Sequence, residues 1–197
     1  MLIRRSIEGF RGAYASLAGL WVPLLDAVVP RHDNVLAVLT RGDGSRRLVA
    51  AANIITDAGD VYYAQKAAGE ATTNAFARLY LSAATFAGPG KTDDTDDLAS
   101  FIAGAEKAAT ATYPKTADAD ADNTGAGTDV LTWLFSYAKA DFNHAAISAG
   151  AIAAAGLTSW GAGAGTDPLL SAFNLTPFAK TSNDTLKFFV NHTFNGV

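Results

Sequence analysis

Alternation of apolar and polar side chains dominates the second half of the chain. In Asp129–Lys139, Leu131, Trp133, Phe135 and Tyr137 alternate with Val130, Thr132, Leu134 and Ser136. In Thr185–Phe194, Leu186, Phe188, Val190, His192 and Phe194 oppose Thr185, Lys187, Phe189, Asn191 and Thr193. A period of two puts successive residues on opposite faces of a strand, and both runs are rich in aromatic or β-branched residues. Leu169–Leu175 reads as a further strand, ended by Pro177 because proline cannot donate to a ladder. Ala145–Ala155 has the composition of a helix, but Gly150 and its place between two strong strands favour an extended segment.

The first half carries weaker versions of the same signal. Val35–Thr40 and Arg46–Ala50 are short apolar runs joined by Arg41-Gly42-Asp43-Gly44-Ser45, a turn-rich hairpin connection. Ala77–Ser82 reads as a strand. Between them a short helix is predicted over Ala58–Ala68, with Asp57 as its N-cap and Gly69 closing it. At the N-terminus Ile3, Ile7, Phe10, Tyr14, Leu17 and Trp21 recur at spacings of three and four, which places them on one helical face. Gly9, Gly12 and Gly19 each cost such a helix about 1 kcal/mol, so this arm needs a surface to lie on. That surface is either the chain's own body or a partner subunit.

Strands separated by Gly-, Asp- and Asn-rich loops, with little helix between them, predict a mainly β fold. We expect an antiparallel β-sandwich or barrel with an N-terminal helical arm and one short helix. The expected organisation is an arm and β-hairpin over residues 1–50 and a sandwich body over 51–197. Pro89–Asp97, Pro114–Thr128 and Gly161–Pro168 read as long loops, and there is no internal repeat.

Composition narrows the function classes. The 197 residues fit a single domain, long enough to bury a core. The hydrophobic share of 49% is inflated by 41 alanines; without them about 28% of the chain is strongly apolar, too little for a membrane protein. A net charge of −4 argues against a nucleic-acid binder. The absence of cysteine removes disulfides, thiolate metal sites and thiol nucleophiles. Arg4-Arg5 ahead of Ala13–Leu25 imitates an export signal, but Glu8 and Arg11 intrude and no small-x-small site follows Leu25. Export is therefore not expected, and the run is too short to span a bilayer.

Candidate chemistry is sparse. Gly88-Pro89-Gly90-Lys91-Thr92 ends like a phosphate loop, but Thr85 stands where the first glycine belongs and Pro89 removes a backbone donor. Asp118, Asp120 and Asp122 have the alternate spacing of a calcium loop's oxygen ligands. Asn123 replaces its glycine, Asp129 replaces its bidentate glutamate, and a solvated acidic loop is the ordinary reading. His32, His144 and His192 lie far apart, and no Gly-x-Ser-x-Gly elbow is present to pair with them. On the apolar face of a strand, His192 is expected to be a hydrogen-bonded structural histidine. Arg41-Gly42-Asp43 matches an adhesion tripeptide, but a turn wants those residues anyway. The sequons at Asn174, Asn183 and Asn191 are read as chance. No enzyme, cofactor or nucleic-acid partner is expected.

Asp122-Asn123-Thr124-Gly125-Ala126-Gly127-Thr128-Asp129-Val130-Leu131-Thr132-Trp133 resembles small structural proteins encoded by tailed bacteriophages. So do Lys180–Lys187, running into Val190-Asn191-His192-Thr193-Phe194, and Asn53–Asp60 with Tyr62-Tyr63-Ala64. The resemblance covers residues 51–197 and is one of phrase and layout, not of a catalytic signature. It implies a virion component assembled in the bacterial host cytoplasm. Within that class it implies a capsid cement (decoration) protein that binds the outside of the shell and clamps neighbouring capsomers. Its partners would be the major capsid protein and further copies of itself, with a trimer the expected oligomer. Phe10, Tyr14, Leu17 and Trp21 are the expected interface anchors, since aromatic residues commonly carry interface energy. The alternatives are a tail, neck or fibre-base connector, or an adhesion or glycan-binding module motivated by Trp160 and the Arg-Gly-Asp turn.

Overall fold

A computed structural model describes residues 34–73, 75–94, 97, 100–116, 122, 129–142, 151–159 and 167–194. In chain order the elements are β1 (Asn34–Thr40), β2 (Arg46–Ala52), β3 (Ile54–Ile55), α1 (Asp57–Ala68), β4 (Arg78–Ser82), β5 (Lys107–Ala108), β6 (Val130–Tyr137), β7 (Ile152–Thr158), β8 (Leu169–Phe178) and β9 (Thr185–Thr193). The fold is mainly β, as the alternation requires. Two antiparallel sheets form, ordered β2-β1-β9-β6 and β3-β8-β7-β4-β5.

Their inner faces share one core. Val35, Ala37 and Leu39 of β1, Trp133, Phe135 and Tyr137 of β6, and Leu186, Phe188 and Val190 of β9 face Leu79, Leu81, Ala155, Leu157, Phe173 and Leu175 of the second sheet. The odd and even positions are those the alternation assigned. Burying each large side chain contributes about 1.5–3 kcal/mol, so this interface is the main source of stability.

Neither sheet turns a purely polar face outward. On the second, Tyr80, Ala154, Leu169 and Ala172 bury a smaller cluster with Phe86, under the loops that carry Phe86 and Phe101. On the first, Val38, Leu134 and Phe189 are buried on the outward side. Asn191, expected on a solvated face, is buried there and accepts a hydrogen bond from Thr132 Oγ1 at 2.8 Å. Asp122 reaches this side of the sheet, where it is ion-paired with Arg46 and Lys187.

The hairpin forms as predicted, with Arg41 N–H donating to Ser45 O at 2.8 Å and Gly44 at a φ of 86°. β1 then pairs with β9, so the hairpin is part of the body's first sheet. Both strands of the hairpin thus belong with the unit Arg31–Val197, and residue 50 falls inside β2. Asn53 carries the chain from β2 in one sheet to β3 in the other.

Three local expectations are corrected or trimmed. The N-cap of α1 is Thr56, not Asp57: Thr56 Oγ1 accepts from Gly59 N–H at 3.2 Å, and Asp57 N–H is taken by Lys91 O at 2.8 Å. β8 runs through Pro177 to Phe178. Proline is tolerated because β3 covers only the Ser171–Ala172 end and the β7 register shifts between Ala154 and Ile152, so no ladder donor is needed there. Of the extended segment predicted over Ala145–Ala155, Ile152–Ala155 are strand and 145–150 lie outside the described residues.

Gly59 sets how closely α1 lies on β8. A Cβ there would sit 2.7 Å from Ile55 Cγ2 and closer still to Leu170 O. Gly59→Ala improves helix propensity by about 1 kcal/mol but forces the helix off the strand. A net loss of about 1–3 kcal/mol is expected, read as a lower urea midpoint with unchanged slope.

Candidate functional site

The most polar part of the interior is the turn between β8 and β9. Lys180 is fully buried, and its ammonium donates to the backbone carbonyls of Phe142 at 3.0 Å, Lys139 at 3.2 Å and Thr181 at 3.3 Å. The Phe142 ring lies beneath it, 4.9 Å to the centroid. Burial lowers the Lys180 pKa, and Asp141 and Asp184 partly oppose that shift. Asp184, also buried, accepts from Thr181 N–H at 2.8 Å and Arg41 Nη1 at 2.9 Å. Burial alone would raise the Asp184 pKa; these donors outweigh it and hold the carboxyl below its ordinary value. Every donor and acceptor here is used to tie loops together, which is structural work.

The second polar group lies where α1 meets the end of β9. His192 is buried against Trp133, with ring centroids 5.0 Å apart, and its Nδ1 is hydrogen-bonded to the Tyr63 hydroxyl. Burial pushes the His192 pKa down to about 3 and raises that of Tyr63, so both are neutral at ordinary pH. The expectation of a hydrogen-bonded structural histidine fits this geometry. Beside it is an open pocket of about 470 Å³, lined by Asn53, Ile54, Ile55, Asp60, Lys91, Asn191, His192 and Thr193. Lys91 and Asp60 form an exposed ion pair at 2.5 Å. Asn53 Nδ2 and His192 Nε2 are buried without hydrogen-bond partners.

The sequence candidates are placed as follows. Phe10, Tyr14, Leu17, Trp21, His32, Asp118, Asp120, His144 and Trp160 lie outside the described residues. Both carboxylate oxygens of Asp122 are engaged, Oδ1 by Arg46 and Oδ2 by Lys187 at 3.0 Å. Among the described residues no group of three or more His, Cys, Asp or Glu side chains could hold a metal ion, and no helix is long and apolar enough to cross a membrane. In the Gly88–Thr92 loop, Asp93 accepts from Gly90 N–H at 2.6 Å, placing a carboxylate where a phosphate would need to sit. In the Arg41-Gly42-Asp43 turn, Arg41 is bonded to Asp184, and Asp43 accepts from Ser45 N–H at 2.8 Å and from its hydroxyl. Arg41 therefore ties the hairpin to the β8–β9 turn, and Asp43 serves the hairpin itself. Asn174 is clamped to the backbone of Phe86 at 2.9 and 3.1 Å.

Sequence reasoning missed the Lys180 hub and the pocket. Nothing near Lys180 marks it as buried, because its partners are backbone carbonyls whose identity leaves no trace in the sequence. The pocket joins residues more than a hundred positions apart, which meet where the end of β9 packs against α1. No family model, curated protein or solved structure matches the chain.

Proposed function

We propose that the protein is a structural component of a tailed-phage virion, a capsid cement protein that binds the assembled shell and holds neighbouring capsomers together. The observation that supports this most is how the body spends its buried polar groups. Lys180, Asp184, Asn174, Trp133 and Tyr137 each tie a loop or strand end to the sheets, the last two through Phe76 O at 3.1 Å and Ala105 O at 2.9 Å. Such bonds hold the segments they tie in fixed positions, and preorganised segments lower the ordering cost of forming several modest contacts. The phrases that resemble phage structural proteins fall on the β2–β3 corner, α1, the start of β6, the β8–β9 turn and β9, which are framework positions.

Cement action needs no chemistry. A protein that binds only the assembled shell stabilises it by its own association free energy, and several small contacts add through avidity. Phe10, Tyr14, Leu17 and Trp21 are the proposed anchors on the shell, the major capsid protein the proposed partner, and a trimer the proposed form. The test is gel densitometry of purified particles against the major shell protein. Hundreds of copies per particle are expected, whereas about a dozen or fewer would move the protein to the tail or neck.

A further inference from the structure

We infer that the end of the body formed by α1 and the close of β9 is a face that meets the shell, and that the shell's site for it is basic around an apolar side chain. The inference rests on the virion reading and adds to it the surface used and the chemistry of the partner. Among the described residues, the exposed large apolar side chains are Val61, 52% exposed, and Phe194, 48% exposed. Both belong to this end. Val61 is on α1, and the Phe194 ring stands edge-on to Tyr63 of the same helix, with centroids 5.0 Å apart. Tyr63 in turn meets Tyr62, and Tyr62 meets the buried Phe76, each at 5.4 Å. The exposed ring is thus the outer member of a row rooted in the core, so little freedom is lost when a partner covers it. Thr193, the residue before it, lines an open groove of about 470 Å³ together with Ile54 and Ile55.

The charges around this centre choose the occupant. Asp57 and Asp60 stand in the first turn of α1, and the Asp57 amide ties that turn to Lys91 O at 2.8 Å. The Lys91 loop continues to Asp93, Asp94 and Asp97, so five carboxylates are set against Lys91 and, in the last turn of α1, Lys66. An apolar centre inside a polar rim is the anatomy of a protein–protein interface. A phosphate backbone or an anionic membrane would be repelled by this rim. A second copy applied through the same end would set like charge against like. Through another described face it would bring no exposed large apolar side chain, because both are here. A different chain, with Arg or Lys around an apolar side chain, satisfies rim and groove together. In the virion reading that chain is the major capsid protein, and this contact adds to the one proposed for Phe10, Tyr14, Leu17 and Trp21.

The test adds the full chain back to particles assembled without it and measures bound protein by sedimentation. Wild-type protein is expected to saturate the particles, with an affinity that falls severalfold between about 0.1 and about 0.5 M salt. Phe194→Ala is expected to bind at least about tenfold more weakly. Asp57→Asn combined with Asp60→Asn, on the exposed surface of α1, is expected to bind more weakly and with a smaller salt dependence. Arg47→Ala, on β2 beside Pro177 O, is the control and should bind as wild type does. Melting temperatures within a few degrees of wild type show that each variant keeps its fold. Unaltered binding by Phe194→Ala and by the double Asp variant, salt-independent binding, or a loss confined to Arg47→Ala would each overturn the inference and leave the cement reading standing. Wild-type protein that does not bind the particles would overturn both.

Discussion

Replacing Lys180 with methionine is expected to destabilise the body by about 3–5 kcal/mol, a large share of a small domain's total stability. Methionine fills nearly the same space, so the loss is not one of packing. Three carbonyl oxygens, of Lys139, Phe142 and Thr181, lose their common donor and remain inside. Each buried acceptor left unpaired costs about 1–3 kcal/mol, less whatever water can recover. Asp184 and Asp141 also lose a nearby positive charge. The measurement is the urea midpoint of Lys180→Met beside that of Lys187→Met, whose ion pair with Asp122 is partly exposed and should cost under about 1 kcal/mol. Equal costs for the two variants would show that the buried ammonium is no more than a neutralised spectator.

The contrast between these two lysines shows what the sequence could reveal. Both stand near the β8–β9 turn, seven positions apart, and composition treats them alike. The alternation in β6 and β9 assigned Trp133, Phe135, Phe188 and Val190 to the core because period-two patterning is a local property with a direct structural meaning. The hairpin and the Gly69 terminus were legible for the same reason, each needing only a turn residue with positive φ in the right place. Burial of the outward positions Val38, Leu134 and Phe189 was half visible as apolar residues on the supposed polar face, but what lies over a sheet is not a local property. The N-cap falls on Thr56 instead of Asp57 because Thr56 is the extended residue whose hydroxyl accepts from the Gly59 amide, while Asp57 is already helical. The candidate site was the least legible part. The alternation places His192 on the apolar face as a structural histidine, but its partner Tyr63 lies 129 positions away on α1, and only the tertiary packing of α1 against the end of β9 connects them.

That histidine should also set the acid limit of the fold. Stability is expected to be level above pH about 6.5, then to fall by about 1.4 kcal/mol per pH unit on this account alone as pH approaches 3. The sign follows from which state holds the proton. Burial pushes the folded His192 down to about 3, while the unfolded chain protonates near the ordinary value of about 6.5. Between those values the unfolded state binds a proton that the folded state refuses, so acid draws the equilibrium toward unfolding. The contribution is complete above the unfolded value and lost as pH falls through the window, amounting to about 5 kcal/mol at most. Asp184 adds a loss of the same sign in a lower window: its folded carboxyl is held below the ordinary value of about 3.9, so its contribution disappears as pH falls beneath that. Since a domain of this size is stable by about 5–15 kcal/mol, cooperative unfolding is expected near pH 3–4. Denaturant titrations from pH 7.5 to 3.5 measure the slope, and His192→Phe, which keeps a ring against Trp133, should flatten it whatever its own stability. A His192 resonance that titrates near pH 6.5 in the folded protein, or an identical slope in the variant, would place the acid sensitivity elsewhere.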